Sequence, residues 1–172
     1  PVQSGNDEVL AGMKRRYTSE QYKEIVGRLK EAIPEITIAT DIICGFPGET
    51  DEQFEDTLQL VKDTQPDAVH ISRFQRRPGT KAFMMEQIDA KKIKERSRKM
   101  TEVFEEIALE RNKEWINKEC FILIDEMGKN EQSIGRNLSY KQVIVKEKLE
   151  LGSIVKVKII DAQRYCLVGE VV

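Results

Sequence analysis

The sequence ITIATDIICGFPGET, at residues 36–50, decides the fold of the first part of the chain. Residues 36–46 are β-branched or apolar almost without interruption, which predicts a strand covered on both faces. Alternate side chains of a strand point to opposite sides, so one side is aliphatic and the other is mostly small or acidic. In a βα barrel the aliphatic side, which ends at Cys44, packs on the outer helices. Asp41 and Ile43 then point inside, near the C-terminal mouth where barrel active sites lie. A structural salt bridge or a turn cap is the alternative role for Asp41.

The turn after this strand, GFPGET at residues 45–50, is the second informative feature. Pro47 and Gly48 suit the two central positions of a type II turn, and Gly45 allows the backbone to approach a ligand closely. Such a turn binds adenine or phosphate in many folds and merely reverses the chain in many others. It does not match the phosphate-binding patterns GxGxxG or GxxxxGKS, which disfavours a nucleotide triphosphatase.

Residues 1–111 alternate between helical and strand-like segments, a pattern typical of βα units around a parallel sheet. Capping boxes at Thr18 and Thr50 predict the starts of two helices, and Asp89 is a plausible N-cap of a long helix. The predicted helices cover residues 7–16, from 18 to Pro34, from 50 to before Pro66, and from about 89 to about 115.

A second strand is predicted at residues 68–74, with polar and aromatic side chains on its inner side. His70 is the only histidine, and we expect a hydrogen-bonded interior imidazole rather than a catalytic one. Phe74 is either a stacking platform for a base or part of the core. The loop that follows carries Arg76 and Arg77, which with Arg73 form a basic segment at the same mouth. This segment is either solvated or suited to a carboxylate or phosphate.

From Glu119 the sequence changes to short strands separated by turn residues, which predicts a small closed β-barrel of OB-like type, and we place the domain boundary near Arg111, within the end of the long helix. The predicted strands cover residues 120–125, 133–136, 142–145, 154–160 and 165–171. Arg136, Tyr140 and Lys141 combine cations with an aromatic ring, as single-stranded RNA recognition requires. The alternative is that these surface charges serve only solubility.

Whole-chain composition limits the function classes. The net charge of −2 does not indicate a generally nucleic-acid-binding protein, so any RNA site must be a local patch. The three cysteines lie far apart and predict neither a disulfide framework nor a metal site. No apolar run has the length of a membrane span, and we expect a soluble cytoplasmic protein without a membrane partner.

Four segments together resemble the radical-SAM tRNA methylthiotransferase family in order and spacing. They are PVQSGND at 1–7, MKRRYT at 13–18, ITIATDIICGFPGETDEQF at 36–54 and RRPGT at 76–80. The resemblance covers essentially the whole chain and implies the C-terminal part of a radical-SAM barrel at 1–111, followed by a TRAM RNA-binding domain at 112–172. The sequence TIATDIICGFPGETD most resembles the archaeal and eukaryotic subfamily that acts on N6-threonylcarbamoyladenosine at position 37 of tRNA.

The resemblance also implies a reaction and its cofactors. In this family a [4Fe-4S] cluster cleaves S-adenosylmethionine reductively, the 5′-deoxyadenosyl radical abstracts hydrogen from C2 of the modified adenosine, and sulfur and a methyl group are added. The positions matching the family's cofactor contacts are Gln3, Ser4, Arg15, Asp41, Ile43, Gly45 and Phe74. The predicted contacts to the tRNA anticodon stem-loop are Arg76, Arg77, Arg136, Tyr140 and Lys141.

The chain departs from the family in its cysteines. The CxxxCxxC triad that ligates the cluster is absent, and Cys44, Cys120 and Cys166 cannot replace it. We therefore expect the cluster ligands to lie outside this chain, no metal site within it, and no catalysis by it alone. The chain begins at Pro1 without methionine, which favours a fragment, and half a barrel leaves a sheet edge open to dimerisation or strand exchange.

Three alternative functions stay open at this point. The chain could serve as a non-catalytic RNA-binding module, or its parent could methylthiolate a different adenosine. A βα-barrel metabolic enzyme with an unrelated β-barrel tail is the third.

Overall fold

The computed structural model describes residues 1–129 and 131–172 and divides into two compact units, Pro1–Glu105 and Glu106–Val172. The first unit is α/β and the second is a closed barrel, so the expected fold classes are confirmed. The predicted domain division between residues 111 and 112 stays a prediction. No helix within the described residues is long and apolar enough to cross a membrane.

Two parallel strands form the sheet of the first unit, β1 (Ala39–Cys44) and β2 (Ala68–Arg73). Gln3 adds a single parallel bridge to Ile42, so three chain segments run side by side. The helices, in chain order, are α1 (Asp7–Gly12), α2 (Ser19–Ala32), α3 (Asp51–Thr64), α4 (Lys81–Met84) and α5 (Ala90–Lys113). This order of helices and parallel strands is the βα pattern that the sequence predicts.

The helices begin where the sequence places their caps. The Thr18 and Thr50 hydroxyls each accept a hydrogen bond from the backbone N–H of the third helical residue, a glutamine. The side-chain oxygen of that glutamine accepts from the threonine backbone N–H, so both capping boxes are present. The Asp89 carboxylate accepts from the backbone N–H groups of Lys91 and Lys92. Helix α1 is shorter than predicted because Lys14, with φ of 59°, turns the chain into the left-handed region.

The alternation predicted for the first strand is confirmed. Thr40, Ile42 and Cys44 are buried, whereas Asp41 and Ile43 on the other face are only partly covered. Fully buried side chains of the first unit include Val2, Leu10, Ile42, Leu58, Leu60, Val61 and Met100. One face of the sheet is therefore part of an apolar core, and the other remains accessible.

The second unit is a closed five-stranded barrel in the order β3-β4-β5-β7-β6. Its strands are β3 (Glu119–Met127), β4 (Ser133–Asn137), β5 (Gln142–Val145), β6 (Ile154–Ala162) and β7 (Leu167–Val171). All pairs are antiparallel except β5 with β7, which is parallel. The core of this barrel consists of Trp115, Ile122, Ile124, Val143, Val145, Val157, Ile159 and Leu167. Because closure pairs every strand on both sides, none of the described strands of this barrel has an exposed edge.

Candidate functional site

An open cavity of about 700 Å³ lies at the C-terminal ends of β1 and β2. Its lining consists of Gln3, Asp41, Ile43, Ser72, Arg73, Phe74, Gln75, Arg77, Thr80 and Ala82. The carboxyl ends of parallel strands are where α/β folds bind ligands, and the volume is within the range of small-molecule sites. The cavity brings together residues from the first segment, both strands and the loop after β2.

Gln3 enters this cavity from a strained backbone. Its φ of 75° lies in the left-handed region, which a residue with a side chain adopts at a cost of about 1 kcal/mol. The conformation is held by two backbone hydrogen bonds, from the Gln3 N–H to the Asp41 carbonyl and from the Ile43 N–H to the Gln3 carbonyl, both 3.0 Å. The first segment is therefore fixed against β1 with Gln3 at the cavity.

The accessible face of the sheet carries polar side chains in adjacent positions. Asp41 and His70 are partners in the parallel register, and so are Ile43 and Ser72. His70 is exposed, so the expected interior imidazole is wrong for this structure. His70 is the register partner of Asp41 and therefore projects from the same accessible face of the sheet, which pairing with β1 does not cover.

Phe74 is held at the cavity by two contacts with the first strand and its turn. Its backbone N–H donates to the Cys44 carbonyl at 2.9 Å. Its ring meets the buried Phe46 ring edge-to-face, with the centroids 5.5 Å apart. An aromatic ring fixed in this way can contact an adenine or another flat group.

The turn after β1 has the type II geometry predicted for it. The Glu49 N–H donates to the Phe46 carbonyl at 3.0 Å, and Gly48 has a φ of 82°. Gly45 also has a φ of 82°, and a Cβ atom there would lie 2.5 Å from the Ile93 side chain. Gly45 does not line the cavity, so its close approach is to α5, and its predicted cofactor contact stays a prediction.

A buried ion pair holds this turn, and the sequence analysis did not identify it. Arg96, on α5, contacts the Glu49 carboxylate at 2.7 Å, with 4% and 1% of the two side chains exposed. The same guanidinium donates to the Glu49 carbonyl at 3.1 Å and to the Asp51 carboxylate at 2.8 Å. The Glu49 carboxylate also accepts from the Gly45 N–H at 3.0 Å. The network therefore fixes the turn at both of its ends.

Burial and charge shift the titration of groups around this turn. Burial raises the pKa of the Glu49 carboxyl, and Arg96 and the Gly45 N–H oppose part of that rise. Hydrogen bonds from Lys92 and Arg96 lower the pKa of Asp51. Burial, with the nearby Glu49, raises the pKa of the Cys44 thiol to about 12. Cys44 is therefore a protonated and unreactive core residue at neutral pH.

The three arginines expected at the mouth have different surroundings. Arg73 donates from Nε to the Ser97 hydroxyl of α5 at 2.9 Å. Arg76 donates to the Phe83 carbonyl at 2.8 Å and stacks on the Phe83 ring at 4.5 Å. Arg77 lines the cavity and begins a turn that Thr80 closes with a hydrogen bond to the Arg77 carbonyl. Arg77 is thus the loop cation best placed for an anionic ligand.

Two predicted cofactor residues lie away from the cavity lining. Ser4 is fully buried, and its hydroxyl lies 3.2 Å from the Thr57 hydroxyl of α3. Arg15 is exposed in the turn after α1. The Ser4 geometry favours a role in fixing the first segment to α3, and the contacts predicted for Ser4 and Arg15 stay predictions.

The barrel holds the predicted RNA contacts on its second hairpin. The Arg136 guanidinium lies 4.6 Å from the centre of the Tyr140 ring and donates to the Asp125 carboxylate at 3.1 Å. Lys141 donates from Nζ to the Asn112 side chain at 2.9 Å. Arg136 and Tyr140 therefore form one stacked unit, and Lys141 is partly engaged elsewhere.

Comparison with known proteins gives two domain matches. Residues 1–61 match the Radical SAM superfamily, and residues 116–172 match the TRAM domain. A probable threonylcarbamoyladenosine tRNA methylthiotransferase of Archaeoglobus fulgidus is 40% identical over 99% of the chain and 40% of its own length. The chain is a homologue of the radical-SAM tRNA methylthiotransferases. The resemblance found in the sequence is confirmed.

Other relatives are named for different substrates. A threonylcarbamoyladenosine tRNA methylthiotransferase of Xenopus laevis is 40% identical over 99% of the chain and 31% of its own length. A tRNA-2-methylthio-N(6)-dimethylallyladenosine synthase of Caldicellulosiruptor saccharolyticus is 44% identical over the whole chain and 37% of its own length. The chain spans about two fifths or less of the length of these relatives.

The cofactors of radical-SAM proteins can be compared with the residues of this homologue. An apolar and aromatic wall from Ile43 and Phe74, with Gln3 and Asp41 beside it, fits a nucleoside with polar groups such as S-adenosylmethionine. An iron–sulfur cluster does not fit: the described residues contain no group of three or more potential metal ligands. Cys44, the cysteine that ends β1, is also buried as a thiol.

Proposed function

We propose that the chain is part of a tRNA methylthiotransferase, in which the cavity of the first unit holds S-adenosylmethionine and the target adenosine and the barrel contacts tRNA. The observation that carries this proposal is the convergence of Gln3, Asp41, Ile43 and Phe74 on one cavity. These residues come from separate segments, and the homology to methylthiotransferases covers the whole chain. When bound, S-adenosylmethionine supplies the methyl group and, after reductive cleavage, the radical that activates C2 of the adenosine.

Each cavity residue has a proposed task that follows from its chemistry. Ile43 and Phe74 exclude water from the adenine rings and orient them by stacking. The carboxylate of Asp41 accepts hydrogen bonds from ribose hydroxyls or an amino group. Gln3 can both donate and accept, and its strained backbone holds the amide in a fixed position.

We propose N6-threonylcarbamoyladenosine as the substrate. A threonylcarbamoyl group ends in a carboxylate, and the guanidinium of Arg77 in the cavity lining suits a carboxylate. A dimethylallyl group has no charge and would gain nothing from a guanidinium. One of the relatives is named a dimethylallyladenosine synthase, so dimethylallyladenosine is the alternative substrate.

The proposed function is tested on the whole protein that contains this sequence, with its clusters reconstituted. Mass analysis of tRNA nucleosides after reaction is expected to show a methylthio group on threonylcarbamoyladenosine. The variant Phe74→Ala is expected to weaken S-adenosylmethionine binding by tenfold or more, whereas Lys23→Ala, which removes a partly exposed ion pair with Asp63 outside the cavity lining, leaves it unchanged. Methylthiolated dimethylallyladenosine would reject the substrate, and no methylthio product on either nucleoside would reject the function.

A non-catalytic RNA-binding module is the second candidate, supported by the closure of the barrel upon itself. The two candidate functions differ in whether the role of the protein depends on the cavity. If Asp41→Ala and Phe74→Ala leave every cellular role of the protein intact while barrel variants abolish it, the module is favoured over the enzyme.

We further propose that the unpaired edge of β2 pairs with another strand. Isolated, the chain would then dimerise or exchange strands through this edge. Analytical ultracentrifugation of the chain and of a variant with Ile71→Pro, which removes a strand N–H, tests it. A monomer at high concentration contradicts the proposal.

A further inference from the structure

One segment of the first unit is strongly basic although the chain as a whole is slightly acidic. Residues 73–99 contain ten lysines and arginines against three acidic residues, a net charge of +7, whereas the whole chain has a net charge of −2. Charge that is concentrated in this way attracts a ligand of the opposite sign. The segment is therefore a candidate for contact with an anion.

Some of these cations are already neutralised within the first unit. Four of them form pairs with carboxylates, which are Arg96–Glu49, Lys92–Asp51, Lys99–Glu55 and Arg98–Glu102. The other six have no carboxylate partner among the described residues, and they are Arg73, Arg76, Arg77, Lys81, Lys91 and Lys94. All six lie between the end of β2 and the first two turns of α5. The unbalanced positive charge is therefore confined to this stretch.

A groove of about 490 Å³ lies between the end of β2 and α5. Its charged lining residues are Arg73, Lys91, Lys94, Glu95, Arg98 and Glu102. Those of α5 recur every three or four residues and so share one side of the helix. Arg98 and Glu102 lie 3.6 Å apart and offset each other. Three cations and one glutamate then remain, so the groove keeps a net positive charge.

Arg73 lies where this groove meets the larger cavity, because it lines both. Its Nε donates to the Ser97 hydroxyl at 2.9 Å. Ser97 is 6% exposed, and its hydroxyl donates to the Lys94 carbonyl at 3.0 Å. The two terminal nitrogens of Arg73 donate to none of the described residues. A guanidinium anchored at Nε presents both terminal nitrogens in a fixed direction, which suits a bidentate contact with a phosphate.

We propose that Arg73, anchored on Ser97, binds the backbone phosphate beside the target adenosine, and that Lys91 and Lys94 bind the phosphates that follow along the same strand. This inference rests on the proposed function, because it takes an adenosine of tRNA as the occupant of the cavity. An enzyme that acts on a base takes the base out of its stack, and the anionic backbone stays outside the pocket. Arg73 lies where base and backbone separate, so it fixes how deeply the adenosine enters.

The two arginines of the cavity lining then have different partners. Arg77, in the loop after β2, is the residue proposed for the threonylcarbamoyl carboxylate, whereas Arg73 is the last residue of β2 and is tied to α5. A phosphate contact does not depend on how the base is modified. Arg73 is therefore expected to contribute equally to RNAs with and without the threonylcarbamoyl group, and Arg77 only to RNAs that carry it.

The experiment uses the whole protein that contains this sequence and labelled RNA hairpins with the target adenosine in the loop. One linkage at a time, on either side of the adenosine, is replaced by an uncharged methylphosphonate. Arg73→Ala is expected to weaken binding of the unsubstituted hairpin about tenfold and to reduce the slope of log K against log salt by about 1. At one adjacent linkage, the methylphosphonate and Arg73→Ala together are expected to cost no more than either alone, since both remove the same contact.

Two further variants separate anchoring from charge. Ser97→Ala keeps the charge of Arg73 and removes the bond to its Nε, so it is expected to weaken binding about threefold with the salt slope unchanged. The matched control is Arg28→Ala, which removes an exposed arginine of α2 that lines neither the cavity nor the groove, and it is expected to leave binding unchanged. Far-ultraviolet circular dichroism verifies that each variant is folded.

Three results would overturn the proposal. Additive losses at every linkage would show that Arg73 contacts no phosphate near the adenosine. A loss confined to hairpins with the threonylcarbamoyl group would assign Arg73 to that carboxylate. Calorimetric binding of inorganic phosphate that requires Arg73, with RNA binding unchanged in Arg73→Ala, would assign the site to a free anion.

Failure of the proposed function gives a different pattern. If the coupling between Arg73 and one linkage is present but the whole protein forms no methylthio product, the phosphate contact is retained and the enzyme is rejected. If the methylthio product forms without that coupling, the enzyme is retained and the phosphate contact is rejected.

Discussion

The two compact units differ in how their sheets end. In Glu106–Val172 every described strand has two partners, and an apolar cluster fills the core beside the buried polar side chains of Ser133 and Asn137. In Pro1–Glu105, β2 has one partner among the described residues, and one face of the sheet remains accessible. The described strands of the closed barrel therefore have no free edge, whereas the open sheet offers an edge and a cavity. The first unit also has a buried ion pair, Arg96 with Glu49, in addition to its apolar core.

The charge dependence of the first unit is tested most strongly by Arg96→Met. The substitution leaves the Glu49 carboxylate buried without its cation, which is expected to lower the free energy of unfolding by about 3–5 kcal/mol. Urea unfolding followed by far-ultraviolet circular dichroism, which reports mainly on the helices, measures the loss. The double variant Arg96→Met/Glu49→Gln is expected to regain most of it.

The control for this variant is Lys99→Met, which removes an exposed ion pair with Glu55. Exposed pairs contribute less than about 1 kcal/mol, so the change is expected to be small. Equal losses at Arg96 and Lys99 would mean that burial of the charge does not matter, and the contrast between the two units would fail.

The packing dependence of the barrel is tested by Ile122→Ala. Ile122 is fully buried, and removing its side chain is expected to cost about 3 kcal/mol. Trp115 is the only tryptophan and belongs to the barrel core, so its fluorescence follows this unit specifically. Leu123→Ala, one residue along and pointing outward, is expected to change stability by less than 1 kcal/mol. A similar loss at both positions would contradict the alternation.

Features set by neighbouring residues could be predicted from the sequence, whereas contacts between distant residues could not. The strands of the barrel, both capping boxes and the type II turn at Pro47 depend on neighbouring residues, and the structure contains all of them. The Arg96 to Glu49 pair joins residues 47 positions apart, and no local pattern announces it. The exposure of His70 also could not be predicted from the sequence, because it depends on whether another segment covers that face of the sheet.

The candidate site was only partly predictable for the same reason. Asp41, Ile43 and Phe74 were located by strand alternation, and they line the cavity. Ser4 and Gly45 were assigned by resemblance; they lie against Thr57 and Ile93 and do not line the cavity, and their cofactor contacts stay predictions. Arg76 and Arg77 are adjacent and equally charged, yet only Arg77 lines the cavity, since Arg76 is bound to Phe83.

A third prediction concerns the response of the first unit to pH. Because the pKa of the Cys44 thiol rises to about 12 in the folded chain, folded Cys44 keeps its proton above pH 9 while the unfolded chain loses it. Stability is expected to fall by about 1.4 kcal/mol per pH unit between about pH 9 and 12 from this group. The contribution is fully present below pH 9.

The measurement is the difference in this slope between the native chain and Cys44→Ala, since other groups titrate equally in both. Unfolding of both proteins is followed by circular dichroism at several pH values. The slope of stability against pH is expected to be shallower in the variant, because it lacks the Cys44 thiol. Identical slopes in the two proteins would show that the thiol is not buried as described.

The smallest expected effect is at the start of α3. Thr50→Ala removes the hydroxyl that accepts from the Gln53 N–H and is expected to cost about 1 kcal/mol. Gln59→Ala, in the middle of the same helix, is expected to stay within about 0.5 kcal/mol. Trp115 fluorescence is expected to be unaffected by either. A shift of the tryptophan transition together with the helix signal would mean that the two units unfold as one.

The parallel pairing of β5 with β7 has a consequence for synthesis on the ribosome. β7 is the last strand of the barrel and lies between β5 and β6, with Val143 opposite Leu167. A growing chain that has not reached Leu167 therefore carries two unpaired strand edges, whatever the rest of it has already formed. Closure must wait for the final strand to emerge, so a nascent chain arrested just before β7 is expected to be cut by proteases that spare the finished barrel.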